Sequence, residues 1–291
     1  YNLFLYPVDT WLWGPFDLFI EHGHRLLGAV VGLVAIAMVV ASIWDSRRWV
    51  RGLCVALLLA VISQGVLGGL RVVLSDRTLA MTHGCVGPAV FSLFVVAAVV
   101  SSRFWLQPRE APVGESARRS SGWVALVASL VILSYLQLLL GAQVRHIQPN
   151  SPPGWFAMIV AVHVMTAFVL WILTGVNWIG LRRCGDLTLS RPALVLIGLV
   201  AVQIILGVGT WVVSYGWPSF LRWFHVATGF LIRSKGFFDS IIVTAHVATG
   251  SLILAVSTLL LLRTLRMRWL SKRMDESGDS DSESTPLPAT T

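Results

Sequence analysis

Charge is scarce in this chain: 12% of its 291 residues are Asp, Glu, Lys or Arg, and 14 acidic residues stand against 22 basic ones. A water-soluble domain carries about 25% charged residues, so an ordinary solvated surface is excluded. Cysteine is limited to Cys54, Cys85 and Cys184. The first two fall inside apolar runs and the third in a basic turn, which excludes a disulfide framework. Cys85 lies two positions from His83, on another helix face, and is expected to pack. Carboxylates are almost missing from the apolar runs, so a zinc site of the carboxylate or thiolate kind is not expected. A nucleophile with an adjacent base is absent too.

What is abundant is hydrocarbon: 56% of residues are apolar and the mean hydropathy is +0.76. About 20 apolar residues cross a bilayer, and seven runs qualify, at 18–44, 51–74, 79–101, 122–144, 155–180, 193–213 and 241–262. All are expected as helices, since open strands leave backbone groups unpaired in lipid. The fold class is therefore all-α, a polytopic membrane protein embedded in a lipid bilayer.

The basic residues set the topology. Fifteen of the 22, from Arg47 through Arg273, fall in one set of turns, expected to be cytoplasmic; the other set holds Arg25, Arg71, Arg77, Arg145, Arg222, Arg233 and Lys235. The net charge of +8 is then a topology signal, and nucleic acid is not expected as a partner. Residues 274–291 are rich in Ser, Asp and Glu and are expected to form a disordered cytoplasmic tail. The 13 Trp mostly fall where interfacial belts are expected.

A repeat runs through the spans. Gln-x-x-Leu-Gly occurs at Gln64 to Gly68, Gln137 to Gly141 and Gln203 to Gly207, each on an outward-running helix followed by an inward-running one with a histidine near its start. The unit is an antiparallel pair: Gln64 with His83, Gln137 with His163, Gln203 with His246. His24 lacks a leading helix, and the chain begins at Tyr1 in a stretch of outer-loop character, so one further N-terminal span is expected. With it the fold would have eight helices in two pseudo-symmetric four-helix bundles, residues 1–108 and 122–273.

His24, His83, His163 and His246 thus stand at one depth, at the outer ends of four spans. An imidazole in hydrocarbon is costly unless it pairs or ligates, and four at matched depth point to metal, with haem favoured over zinc. Each is followed at i+4 by a small residue, Gly28, Gly87, Ala167 or Gly250, which leaves a slot for a flat macrocycle or for another helix. Glu21 precedes His24 by three positions on the same face; it could stabilise charge, relay a proton, or simply favour the helix N-terminus. Arg25, Arg71 and Arg145 could meet carboxylates of a porphyrin or anchor at headgroups, and His146 could serve either role. His22 is on a different face and is expected to be exposed. His225 heads a second copy of the string His-Val-Ala-Thr-Gly found at His246; its apolar run is too short to cross, so an interfacial segment is expected within the long loop 214–240, and His246 is preferred as the ligand.

These residues resemble the haem A synthases, a family of cytochrome oxidase assembly proteins. The resemblance rests on Glu21-His22-Gly23-His24-Arg25, on Gln64 through Leu74 followed by His83, on Gly141-Ala142-Gln143-Val144-Arg145-His146, and on His163 and His246. It implies two four-helix halves, each able to hold a haem between two histidines. Substrate haem O would fall to His24 and His83 with Glu21 as the catalytic residue, and cofactor haem b to His163 and His246. The implied reaction oxidises a ring methyl of haem O to a formyl group. Implied partners are the haem O synthase that supplies the substrate and an electron donor the sequence does not identify, while a homo-oligomer stays open. The implied location is a bacterial plasma membrane, or the mitochondrial inner membrane in a eukaryote, with the histidines toward the outer face. The outer loops lack the cysteine pairs of many relatives. A two-haem electron carrier and a haem-handling chaperone are the rival readings of the same histidines.

Overall fold

A computed structural model describes residues 12–13, 16–107, 123–147, 151–216 and 237–283. Eight helices lie within them: α1 (Phe16–Ser42), α2 (Arg48–Val73), α3 (Arg77–Val100), a single turn α4 (Arg103–Leu106), α5 (Val124–Arg145), α6 (Pro153–Arg183), α7 (Leu187–Tyr215) and α8 (Phe237–Glu283). All but α4 are long and apolar enough to cross a membrane, and no strand occurs among the described residues. This is a polytopic all-α membrane protein. Side chains such as Leu27, Leu33, Ile132, Met165 and Ile205 stand exposed along the spans, which hydrocarbon tolerates and water does not.

The helix ends follow from local chemistry. Asp45 closes the turn between α1 and α2 by accepting from the Arg47 backbone N–H at 2.8 Å and from its guanidinium at 2.9 and 2.6 Å. That bidentate hydrogen bonding holds the Asp45 carboxyl down at about 2. Asp76 caps α3 by accepting from the Leu79 N–H at 2.8 Å, and Asp186 caps α7 through the Thr188 N–H and hydroxyl, both at 2.7 Å. That cap lets α7 begin at Leu187, ahead of the expected 193. Pro192 has no N–H to donate one turn back. The Thr188 carbonyl it deprives is instead met by the Arg263 guanidinium at 2.8 Å.

The chain divides into two compact units, residues 1–97 with 206–246 and residues 98–205 with 247–291. The second holds one continuous core: Val127 and Leu130 of α5, Leu170 and Leu181 of α6, Leu189, Ala193, Leu196 and Val200 of α7, and Ile253, Leu260 and Met267 of α8. The α7 set repeats at helical spacing and so forms one buried stripe. At Gly180 of α6 the Trp123 ring occupies the position a Cβ would take. The first unit has a sparser core, with Ala35, Cys54, Leu57, Cys85 and Val90 buried and Phe16 edge-on to Phe237 at 4.6 Å. Cys85 packs, as expected. The last helix continues to Glu283, past Met274 where the tail was expected to start.

Candidate functional site

Three helices of the first unit bring the first imidazoles together. His24 lies early in α1 and His83 early in α3, and their rings stand 6.0 Å apart between centroids, at 88° to each other. His24 is exposed and His83 half-buried. With a metal-to-imidazole-nitrogen distance of about 2 Å and about 1 Å more to the ring centroid, two axial imidazoles on one iron stand about 6 Å apart. The separation fits a porphyrin iron between the two rings.

The ring of His83 is set by α2. A Cβ built on Gly68 would meet His83 Cε1 at 3.0 Å, Nδ1 at 3.4 Å and Nε2 at 3.7 Å, so a larger residue there would press on the imidazole. One turn earlier on the same face, Gln64 donates from Nε2 to the His83 backbone carbonyl at 3.0 Å. The device recurs in the second unit, where Gln137 Nε2 donates to the His163 carbonyl at 2.9 Å and a Cβ at Gly141 would lie 3.4 Å from His163 Cε1. In the third copy a Cβ at Gly207 would lie 3.2 Å from His246 Cε1. The repeat spacing singles out these glutamines and glycines without showing a purpose; their contacts to the histidines supply it.

At Gly87 and Gly250 the small residue at i+4 meets another helix, one of the two roles its spacing allows. A Cβ at Gly87 would meet Gln64 Nε2 at 3.0 Å, and one at Gly250 would meet Gln203 Nε2 at 3.3 Å and Leu138 Cδ2 at 3.2 Å. These glycines admit a glutamine amide from the neighbouring helix. At Gly28 a built Cβ meets no atom of the described residues within 4 Å.

Around this pair the charges are arranged unequally. Glu21 is 51% exposed at its side chain and is ion-paired with Arg25, one turn on. Arg71 closes α2 and acts electrostatically on both His24 and His83. It also lines an open depression of about 260 Å³ with Ser75, Asp76 and Arg77. His22 departs from expectation: it is 3% exposed, because the α1 face two positions from His24 turns inward rather than to the surface. His163 and His246 fall in different units, each against its own glycine. Arg145 is exposed in the last turn of α5, and His146 caps that helix through its backbone N–H to the Ala142 carbonyl at 3.0 Å. His225 and most of the loop 214–240 lie outside the described residues.

Residues 15–150, which include Glu21, His24, His83 and the first two Gln-Gly repeats, match the cytochrome oxidase assembly proteins of the COX15-CtaA family. Over this stretch the chain is similar to that family. Curated relatives extend the likeness. A haem A synthase of Shouchella clausii (strain KSM-K16) is 32% identical over 147 residues, 48% of this chain and 45% of that protein. Two haem A synthases of Rhodopseudomonas palustris are each 26% identical: that of strain BisB5 over 73% of this chain and 66% of its own length, and that of strain HaA2 over 78% and 68%. The chain thus spans about half to two thirds of the length of the relatives it matches. The likeness to haem A synthases read from the order and spacing of the histidine motifs is thus matched by these relatives.

Proposed function

We propose that this chain works as a haem A synthase, converting a ring methyl of haem O to a formyl group for cytochrome oxidase assembly. The observation that carries the reading is the His24–His83 pair, whose 6.0 Å ring separation suits two axial ligands of one iron. His24 and His83 would hold the substrate porphyrin, with the more exposed His24 as the ligand easier to exchange. Gly68 keeps the His83 ring in place. Glu21 stands one turn before His24 and Arg25; the Arg25 partner restricts where its carboxylate lies, so the group can be held toward the reacting edge to stabilise developing positive charge. Arg71 supplies a cation beside both imidazoles for a porphyrin carboxylate.

His163 and His246 are the remaining imidazoles of the set, and haem b is assigned to them on the strength of the repeat; bound there, haem b supplies one-electron transfer chemistry that side chains lack. Gln137 and Gly141 hold His163 as Gln64 and Gly68 hold His83. We place the histidine ends toward the outer face of a bacterial plasma membrane, or of the mitochondrial inner membrane in a eukaryote, following the distribution of basic turns. A haem O synthase and an electron donor are the partners this reaction requires.

The identical Gln-Gly device at His83 and His163 also suits a two-haem electron carrier, which would have no use for Glu21 beside one pair alone. Co-expression with a source of haem O separates the readings. Formyl haem in the extracted pigment is expected for wild type, with loss of about 100-fold or more in Glu21→Ala while bound haem is retained. Tightly held haem b with no formyl product, or full haem A output from Glu21→Ala, would defeat the reading.

A further inference from the structure

We propose that Gln64 and Gln137 are positioning residues that tie the ligand helices at the histidine itself, fixing the imidazoles of His83 and His163 against Gly68 and Gly141. The inference rests on the ligand reading of those histidines. Inside a helix the His83 carbonyl already has a ladder partner, so the 3.0 Å bond from Gln64 Nε2 is an addition, placed at the one residue that carries the ring. The 2.9 Å bond from Gln137 to the His163 carbonyl repeats it.

The surroundings say why a tie is needed. Pro88 removes the N–H that would meet the Gly84 carbonyl, so α3 is loosened directly beyond His83. Gln64 and Gly68 share a face of α2; the first holds the backbone of His83 and the second, with a built Cβ 3.0 Å from Cε1, limits the ring. Gly87 in turn clears space for the Gln64 amide. The arrangement has a cost: Gln64 Oε1 and Gln137 Oε1 are buried with no hydrogen-bond partner among the described residues, a burial that leucine at either position would avoid. A costly group kept in two copies, each bonded to the residue that bears a ring, points to orientation of that ring rather than to stability.

The test uses the full-length chain purified with its haems, read by electron paramagnetic resonance and by the reduction potential of each haem. Gln64→Leu should shift the low-spin signal and potential of the His83 site and weaken its haem by about 10-fold, the lower end for outer-shell partners, with the other site unchanged. Gln137→Leu should do the reverse. Gly87→Ala should act like Gln64→Leu, yet add nothing in a Gln64→Ala background, because the amide it displaces is gone. If Gln64→Leu does not accumulate, Gln64→Asn, too short to reach the carbonyl, carries the same expectation. Imidazole-ligated haem in wild type that is indifferent to Gln64, or a Gly87→Ala effect undiminished in Gln64→Ala, overturns this inference alone. A wild-type chain without imidazole-ligated haem overturns the ligand reading and this inference together.

Discussion

Replacing Gly68 by alanine puts the proposed role of the repeat glycine to a quantitative test that needs no cofactor. In a helix interior Gly→Ala contributes about 1 kcal/mol through backbone propensity. At Gly65 and Gly69 a Cβ meets nothing within 4 Å, so both should show that gain. At Gly68 the Cβ would stand 3.0 Å from His83 Cε1, where carbon atoms prefer about 3.5–4.0 Å. Either the ring or the helix must yield, and overpacking of this kind costs about 1–3 kcal/mol. The net expectation for Gly68→Ala is a loss of about 0–2 kcal/mol, against gains at its two neighbours. Gly141→Ala, where the nearest atom is His163 Cε1 at 3.4 Å, should fall between. Reversible unfolding in mixed micelles, followed by the helical signal, reads all four variants. Gly68→Ala as stable as Gly65→Ala would refute the reasoning, because the imidazole would then not be seated against that glycine.

The Thr188 carbonyl left over by Pro192 offers a second cycle: Arg263→Met should cost about 1–3 kcal/mol by orphaning it, and in a Pro192→Ala background, where a backbone N–H returns, most of that cost should vanish in the same unfolding assay. The Asp45 carboxyl, held at about 2 by Arg47, has an unfolded value of about 3.9. Because the folded value is the lower, its contribution is complete above about pH 4 and is lost as pH falls from there through about 2. A midpoint-versus-pH series should therefore show wild type and Asp45→Asn converging at acid pH and separating above about pH 4; curves parallel throughout would contradict the ion pair.

The class, the seven spans and the four histidines were legible in the chain because a bilayer enforces a simple rule on length and polarity, and because imidazoles in apolar runs are rare. The nearness of His24 to His83 agrees with the pairing that the family resemblance implies, which the motifs alone do not give. The job of the i+4 glycines stays open in the sequence. A small residue under a histidine reads alike whether it admits a macrocycle or a glutamine, and only the neighbouring helix shows that Gly87 faces Gln64. His22 differs from expectation for a similar reason: two positions from His24 does mean another face, but the pattern does not say whether that face is covered, and it is. The early start of α7 depended on the Asp186 cap and on Arg263 meeting the Thr188 carbonyl from 75 positions away, a contact no local pattern shows.

The central claim is that His24 and His83 share one iron. Electron paramagnetic resonance on the purified, haem-loaded chain and on His24→Ala, His83→Ala and the double variant tests it most directly. The account predicts that each single variant abolishes the same bis-imidazole low-spin signal, that the double variant loses no more than either, and that a second such signal survives in all three. Retention of both signals in His83→Ala, or additive losses from the two single variants, would contradict it.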